Sequence, residues 1–183
     1  YVLSIKPGPT VNNLSSTRAL RDITQIYNCE YHSSSVGEVN VVEMMKKTGA
    51  IIGGEGNGGI ILPDIHYGRD ALVGIALFLS HLSRAEVDCS ELRKKYPNYY
   101  MSKKKKEISS SFDYNKMITF FNNKYSSENI NLSDGLKIDF SDSWVQLRKS
   151  NTEPIIRIYS EAKTQEAADQ IADKFINEIE AAI

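Results

Sequence analysis

Cysteine is scarce, with Cys29 and Cys89 alone and far apart. They form no CxxC pair and no metal-ligand spacing, which excludes a disulfide scaffold and a zinc ribbon and fits a reduced, cytoplasmic setting. Excess charge of one sign is also lacking. Lys and Arg total 22 against 23 Asp and Glu, a net charge of −1. No global field therefore draws the protein to nucleic acid or to an anionic membrane, and neither is expected as a partner. Long apolar runs are missing too. Ala71-Leu72-Val73-Gly74-Ile75-Ala76-Leu77-Phe78-Leu79 is well short of the ~20 residues a bilayer requires, and it reads as a buried helix. No signal peptide is visible. The three histidines, His32, His66 and His81, have no sequence neighbour of catalytic type and read as structural or surface residues. What remains is ordinary for a soluble globular protein: 183 residues, 41% hydrophobic and 25% charged, enough for one or two domains. Tyr1 stands inside an apolar run, which reads as a cut within a longer chain.

Glycine, by contrast, is concentrated. Gly53-Gly54-Glu55-Gly56-Asn57-Gly58-Gly59 holds five glycines in seven residues. Such a run is costly inside a regular element and suits a sharp turn or a close approach to a ligand. Glu55 and Asn57 are its only hydrogen-bonding side chains. A carboxylate can accept from two neighbouring sugar hydroxyls, and an amide can both donate and accept. The loop is thus either a sugar-hydroxyl clamp or a glycine-rich hairpin with a solvated Glu. It is no Walker A loop, since no Gly-Lys-Ser/Thr follows, and it lacks GxGxxG spacing.

A second stretch is Arg148-Lys149-Ser150-Asn151-Thr152-Glu153-Pro154, with Arg157 close behind. Arg presents a planar fork of donors that matches phosphate oxygens. Ser, Asn and Thr favour turns, whose consecutive N–H groups can cradle an anion. Two readings stay open: a phosphate clamp, or a polar β-turn with solvated arginines.

Between and around these loops the pattern is α/β, then α+β. Val2-Leu3-Ser4-Ile5 reads as a buried strand stopped by Pro7-Gly8-Pro9. A helix follows through Arg18, Leu20, Ile23 and Tyr27, capped by Ser15 or Ser16. Tyr31 to Ser35 reads as a polar connection. A second helix is expected over Val39–Lys47, and a strand over Ala50–Ile52. Asp70 suits the N-cap of the apolar helix, and Arg69 either reaches a ligand or pairs with a local carboxylate. Residues 85–101 turn polar and read as a linker. Lys103-Lys104-Lys105-Lys106 reads as an exposed edge strand, where lysine discourages edge pairing, in preference to a nucleic-acid patch. The last segment reads as helix Phe112–Tyr125 with Met117, Phe120 and Phe121 inward, then strands at Gly135–Phe140, Ser143–Lys149 and Ile155–Ala162. Thr164 then caps a helix whose Ala168, Ile171, Ala172, Phe175, Ile179 and Ile183 form one stripe.

With both loops placed, the chain resembles the C-terminal half of the α-D-phosphohexomutases, the phosphoglucomutase, phosphomannomutase and phosphoglucosamine mutase superfamily. Gly54-Glu55-Gly56-Asn57-Gly58-Gly59 looks like that family's sugar loop, commonly GExSGH, with Asn57 at the serine position and Gly59 at the histidine position. Arg148 to Pro154 looks like its RxSNTxP phosphate loop. The resemblance covers essentially the whole chain. It implies an α/β domain III at 1–84, a linker at 85–101, and a smaller α+β, TBP-like domain IV at 102–183. It implies sugar binding by Glu55 and Asn57. Phosphate binding would fall to Arg148, Ser150, Asn151, Thr152 and Arg157. The implied reaction interconverts hexose 1- and 6-phosphates of glucosamine, glucose or mannose through a bisphosphosugar. The phosphoserine loop and the aspartate loop that holds Mg2+ belong to domains I and II, about 270 residues upstream at usual domain sizes, and neither occurs in this sequence. The segment alone is therefore expected to bind phosphosugar weakly and to catalyse nothing. A stand-alone phosphosugar- or anion-binding module is the alternative.

Overall fold

The computed structural model describes every residue except Ser110, Asn151, Ala182 and Ile183. The chain divides into two units, Tyr1–Asn98 and Tyr99–Ile183. Among the described residues, no helix is long and apolar enough to cross a membrane.

Unit 1 is an α/β layer built in the order α1 (Val2–Ile5), β1 (Thr10–Asn13), α2 (Ala19–Ile26), β2 (Tyr31–Ser34), α3 (Glu38–Thr48), β3 (Ile52–Gly54), β4 (Ile60–Ile61), α4 (Ala71–Ala85) and α5 (Cys89–Lys94). The sheet order is β2-β1-β3-β4; β1 runs parallel to β2 and β3, and β4 is antiparallel to β3. The chain steps from β1 to β2 on one side, then crosses back to β3 on the other. Such a reversal opens a crevice beyond the carboxyl ends of β1 and β3, where open α/β sheets bind ligands. Val11, Val41, Met45, Ala50 and Ile61 form the core.

Several local expectations change here. Val2–Ile5 is one helical turn, not a strand, and only Leu3 in it is buried. A four-residue apolar run carries no period long enough to separate the two states. The true first strand is Thr10-Val11-Asn12-Asn13, buried throughout despite three polar residues. Its side chains are satisfied across the layer: Thr10 Oγ1 lies 2.7 Å from Thr24 Oγ1, and Tyr31 Oη donates to Asn12 Oδ1. Tyr31–Ser34 is a strand, not a connection. Neither Ser15 nor Ser16 caps α2; its first N–H, on Ala19, donates to Thr17 Oγ1. Asp70 does cap α4, accepting from the N–H groups of Leu72 and Val73. That helix, however, is not buried: it touches β4 and α5, and Leu72, Ile75, Phe78 and Leu79 all face outward. The stretch read as a linker contains α5, and the division falls between Asn98 and Tyr99.

Unit 2 is a five-stranded antiparallel sheet with two helices on one face. Its elements are β5 (Tyr100–Glu107), α6 (Tyr114–Lys124), β6 (Asn129–Asn131), β7 (Leu136–Asp139), β8 (Trp144–Lys149), β9 (Ile155–Ala162) and α7 (Gln165–Ala181). The strand order is β5-β9-β8-β7-β6, so the lysine-rich β5 is an edge strand, as its composition suggests. Strict alternation puts Val145, Leu147, Ile156 and Ile158 under the helices, against Met117, Phe121, Ala172, Phe175 and Ile179. Phe120 departs from expectation: it lies 37% exposed, edge-on to Phe121. The Thr164 hydroxyl caps α7 by accepting from Ala167 N–H. Ile183, assigned to the α7 stripe, lies outside the described residues.

Candidate functional site

The glycine loop spans β3 and β4 at the crevice. Glu55 follows the carboxyl end of β3, and its side chain is only 5% exposed. Its Oε1 accepts from Asn13 Nδ2 at 3.0 Å and from Gly37 N–H at 3.3 Å. Its Oε2 lies 3.2 Å from Arg69 Nη1. Asn13 ends β1, and Gly37 lies just past the end of β2. Donors from the carboxyl ends of two parallel strands thus converge on a carboxylate at the end of the third. A carboxylate has about four acceptor positions; two of them, on Oε1, accept hydrogen bonds, and Oε2 lies in an ion pair with Arg69.

Two further anchors hold this carboxylate. Arg69 is itself fixed: its backbone N–H and Nε both donate to Glu38, at 2.9 and 2.8 Å. The Arg69 N–H, then its guanidinium, holds the Glu38 carboxyl below its ordinary value. Asn13 Oδ1 meanwhile accepts from Ser15 N–H and Ser16 Oγ, at 3.1 and 2.8 Å, which shapes the turn after β1. That turn, with Asn12, Ser16, Thr17, Gly53, Gly54 and Glu55, lines a cavity of about 250 Å³. Gly54 is required by close approach: a Cβ there would sit 2.4 Å from the Gly59 carbonyl oxygen.

Asn57 is placed differently from Glu55. It is exposed at the loop tip, and its Oδ1 accepts from Gly59 N–H at 3.1 Å. The amide oxygen therefore shapes the turn. Asn13 and Gly37 escape sequence reasoning as partners of Glu55, whereas Arg69 does pair with carboxylates, Glu38 and Glu55. The signal that could have found Asn13 is a polar pair ending a strand that is otherwise core.

The phosphate-loop candidate joins β8 to β9. Arg148 and Arg157 are direct cross-strand partners, so their side chains share the sheet face opposite the helices. Each has one loose acidic neighbour: Arg148 Nη1 lies 3.6 Å from Asp134 Oδ2, and Arg157 Nη2 lies 3.8 Å from Glu153 Oε2. Asp134 is brought there by the turn before β7. A Cβ on the next residue, Gly135, would meet the Leu147 carbonyl oxygen at 2.2 Å, and its φ is +77°. Inside the loop, Ser150 is 7% exposed, and its Oγ accepts from Thr152 N–H at 3.4 Å. Ser150 N–H donates to the Ile155 carbonyl, closing the hairpin at 3.0 Å. Thr152 is exposed. Asn151 lies outside the described residues. The loop thus brings two guanidiniums and two hydroxyls to one end of the β8–β9 hairpin.

Comparison with known proteins bears on the chain as a whole. Residues 1–100 match the model of the phosphoglucomutase/phosphomannomutase alpha/beta/alpha domain III, and residues 100–178 match that of the phosphoglucomutase/phosphomannomutase C-terminal domain. The chain therefore belongs to the phosphoglucomutase/phosphomannomutase family, as its domains III and IV. The phosphoglucomutase/phosphomannomutase of Thermococcus kodakarensis is 33% identical over 179 residues, covering 96% of this chain and 39% of that protein. The phosphoglucosamine/phosphogalactosamine mutase of Sulfurisphaera tokodaii is 31% identical over 166 residues, covering 90% of this chain and 36% of that protein. Among solved structures, the Burkholderia thailandensis phosphoglucomutase/phosphomannomutase family protein is 26% identical. It covers 99% of this chain and 39% of its own, with a TM-score of 0.77. The chain spans about two-fifths of the length of these relatives.

Among the described residues, no group of three or more His, Cys, Asp or Glu could hold a metal ion.

Proposed function

We propose that the chain is the substrate-recognising portion of a phosphohexomutase, which interconverts hexose 1- and 6-phosphates through a bisphosphosugar. The cross-strand pairing of Arg148 with Arg157 carries this reading. Two like charges held directly opposite one another destabilise a sheet. Their loose acidic neighbours, at 3.6 and 3.8 Å, compensate them only in part. A phosphate dianion bridging both would supply the missing charge. Guanidiniums suit the task because they stay protonated at any accessible pH. Ser150, Asn151 and Thr152 would add hydroxyl and amide contacts that fix the phosphate's orientation.

Glu55 is the sugar-recognising group on the same reading. It lines the cavity, with Oε1 fixed by Asn13 and Gly37 and Oε2 beside Arg69. An acceptor held this way loses little entropy when a sugar hydroxyl donates to it. Asn57, exposed at the tip of the same loop, would add an amide donor. The hexose would be a glucosamine, glucose or mannose phosphate. Phosphoryl transfer and magnesium would belong to upstream domains, and the purified chain should show no mutase turnover.

Backbone-amide NMR during titration with glucosamine 6-phosphate tests both loops. A dissociation constant on the order of millimolar, about −4 kcal/mol, is expected. Shifts should gather at Ser150 and Thr152 and at Gly54 to Asn57. Arg148→Gln should remove the first group, and Glu55→Gln the second. Unchanged binding in both variants would sink the proposal, as would turnover by the wild-type chain.

A further inference from the structure

The run Lys103 to Lys106 separates by parity into two faces of β5. Lys104 Nζ pairs with Asp173 at 2.6 Å and Lys106 Nζ with Glu180 at 2.5 Å, both acids lying on α7. These two lysines tie the edge strand to the helix face. Lys103 and Lys105 project from the opposite face, which also carries Arg148 and Arg157. Lys103 lies over the Tyr159 ring at 5.6 Å. Lys105, which is exposed, has no ion pair, hydrogen bond or ring contact among the described residues.

Register then places Lys105 in a particular position. It is the direct cross-strand partner of Arg157, which in turn is the partner of Arg148. Three cations stand abreast on β5, β9 and β8, at the end of the sheet where the phosphate-loop candidate emerges. β5 is tied to that loop immediately beyond, where Ile108 N–H donates to the Pro154 carbonyl at 2.9 Å. Three adjacent like charges on one sheet row work against folding. Lysine on an edge strand discourages edge pairing, but that role does not require a cation directly beside Arg157.

We propose that Lys105 is a third cation of the phosphate anchor, rests on the phosphate reading of Arg148 and Arg157, and selects doubly charged phosphomonoesters over singly charged anions. Two guanidiniums supply directional, bidentate donors. An ammonium on a flexible stem supplies a point charge that can follow the ester oxygens. Its Coulomb attraction to a dianion is about twice that to a monoanion at equal distance.

Glucose 6-phosphate and glucose 6-sulfate are the probes, titrated by NMR at fixed ionic strength against the whole chain. Lys105→Gln should weaken phosphate binding by about threefold to tenfold and sulfate binding by less, which compresses the phosphate-to-sulfate preference. Lys105→Arg should restore most of that preference. Lys104→Gln should stay within about twofold of wild type, because its charge is spent on Asp173. The melting temperature of unliganded Lys105→Gln should equal or exceed that of wild type, since a repulsion is relieved. Loss of binding in Arg148→Gln with no change in Lys105→Gln would overturn the role of Lys105 and leave the anchor standing. Equal weakening by Lys104→Gln and Lys105→Gln would overturn it too, as a general charge effect. A wild-type chain that binds neither probe, or an Arg148→Gln variant that binds both normally, would overturn the anchor itself.

Discussion

The two units bury their apolar residues to different extents. In unit 2, eleven buried residues form one cluster between a five-stranded sheet and two helices, and Phe121 and Phe175 stack at 5.2 Å within it. In unit 1 the cluster holds five of the described residues, and the apolar helix α4 leaves Leu72 77% exposed. A strand and a helix each have one face to bury. Unit 2 satisfies that demand within itself. Unit 1 satisfies it under α3 but not along α4. Unit 1 spends its interior on polar groups that position Glu55, whereas unit 2 keeps its helix-covered core apolar and carries Arg148 and Arg157 on the opposite face.

Core truncation should separate the units most strongly. Phe175→Ala should lower the stability of unit 2 by about 3–5 kcal/mol. Residue-resolved NMR in urea would then show amides of β7 to β9 unfolding earlier, with those of β1 and β3 unmoved. A common shift of both sets would mean that the units unfold as one. Gly54→Ala is the corresponding insult to unit 1. Its Cβ has only backbone to displace, so a loss of about 1–3 kcal/mol is expected, confined to unit 1 amides.

Asp70→Ala, the loss of an N-cap, should have a smaller effect. It also has a pH signature. The Val73 N–H, then His66, holds the Asp70 carboxyl below its ordinary value. A depressed folded pKa stabilises above the unfolded value of about 4, and that contribution is lost as pH falls through the lower folded value. Wild type and Asp70→Ala should therefore differ fully at neutral pH and converge in acid, as read by urea midpoints. The smallest effect on stability belongs to α4. Replacing Leu72 and Leu79 by Lys should change it by no more than about 0.5 kcal/mol each, as surface substitutions do. The same change should reduce the binding of an apolar dye. A large loss of stability would show that these side chains are packed after all.

Legibility also differed between the units. The strands β8 and β9 and the helix α7 were readable because long alternation or a long 3.6-residue stripe leaves little ambiguity. So was Asp70, whose capping role depends only on its local sequence. β1 was not, because Thr10, Asn12 and Asn13 look like loop residues until their partners are known. α4 misled for the opposite reason: its composition demands burial, while the residues around it cover only part of it. The partners of Glu55 come from positions 13, 37 and 69. No pattern local to the glycine loop points to them.

The sequence by itself determined the class of each unit, the two loops and the family, because these rest on local periodicity and on short motifs. Tertiary structure alone decided which charges stand together. Parity along β5 is written in the chain. That Lys105 meets Arg157, and Arg157 meets Arg148, depends on a strand order of β5-β9-β8, which brings residues about fifty apart in sequence to adjacent positions of one row. Pairing register is a cooperative property of the whole sheet, set by which faces must be buried.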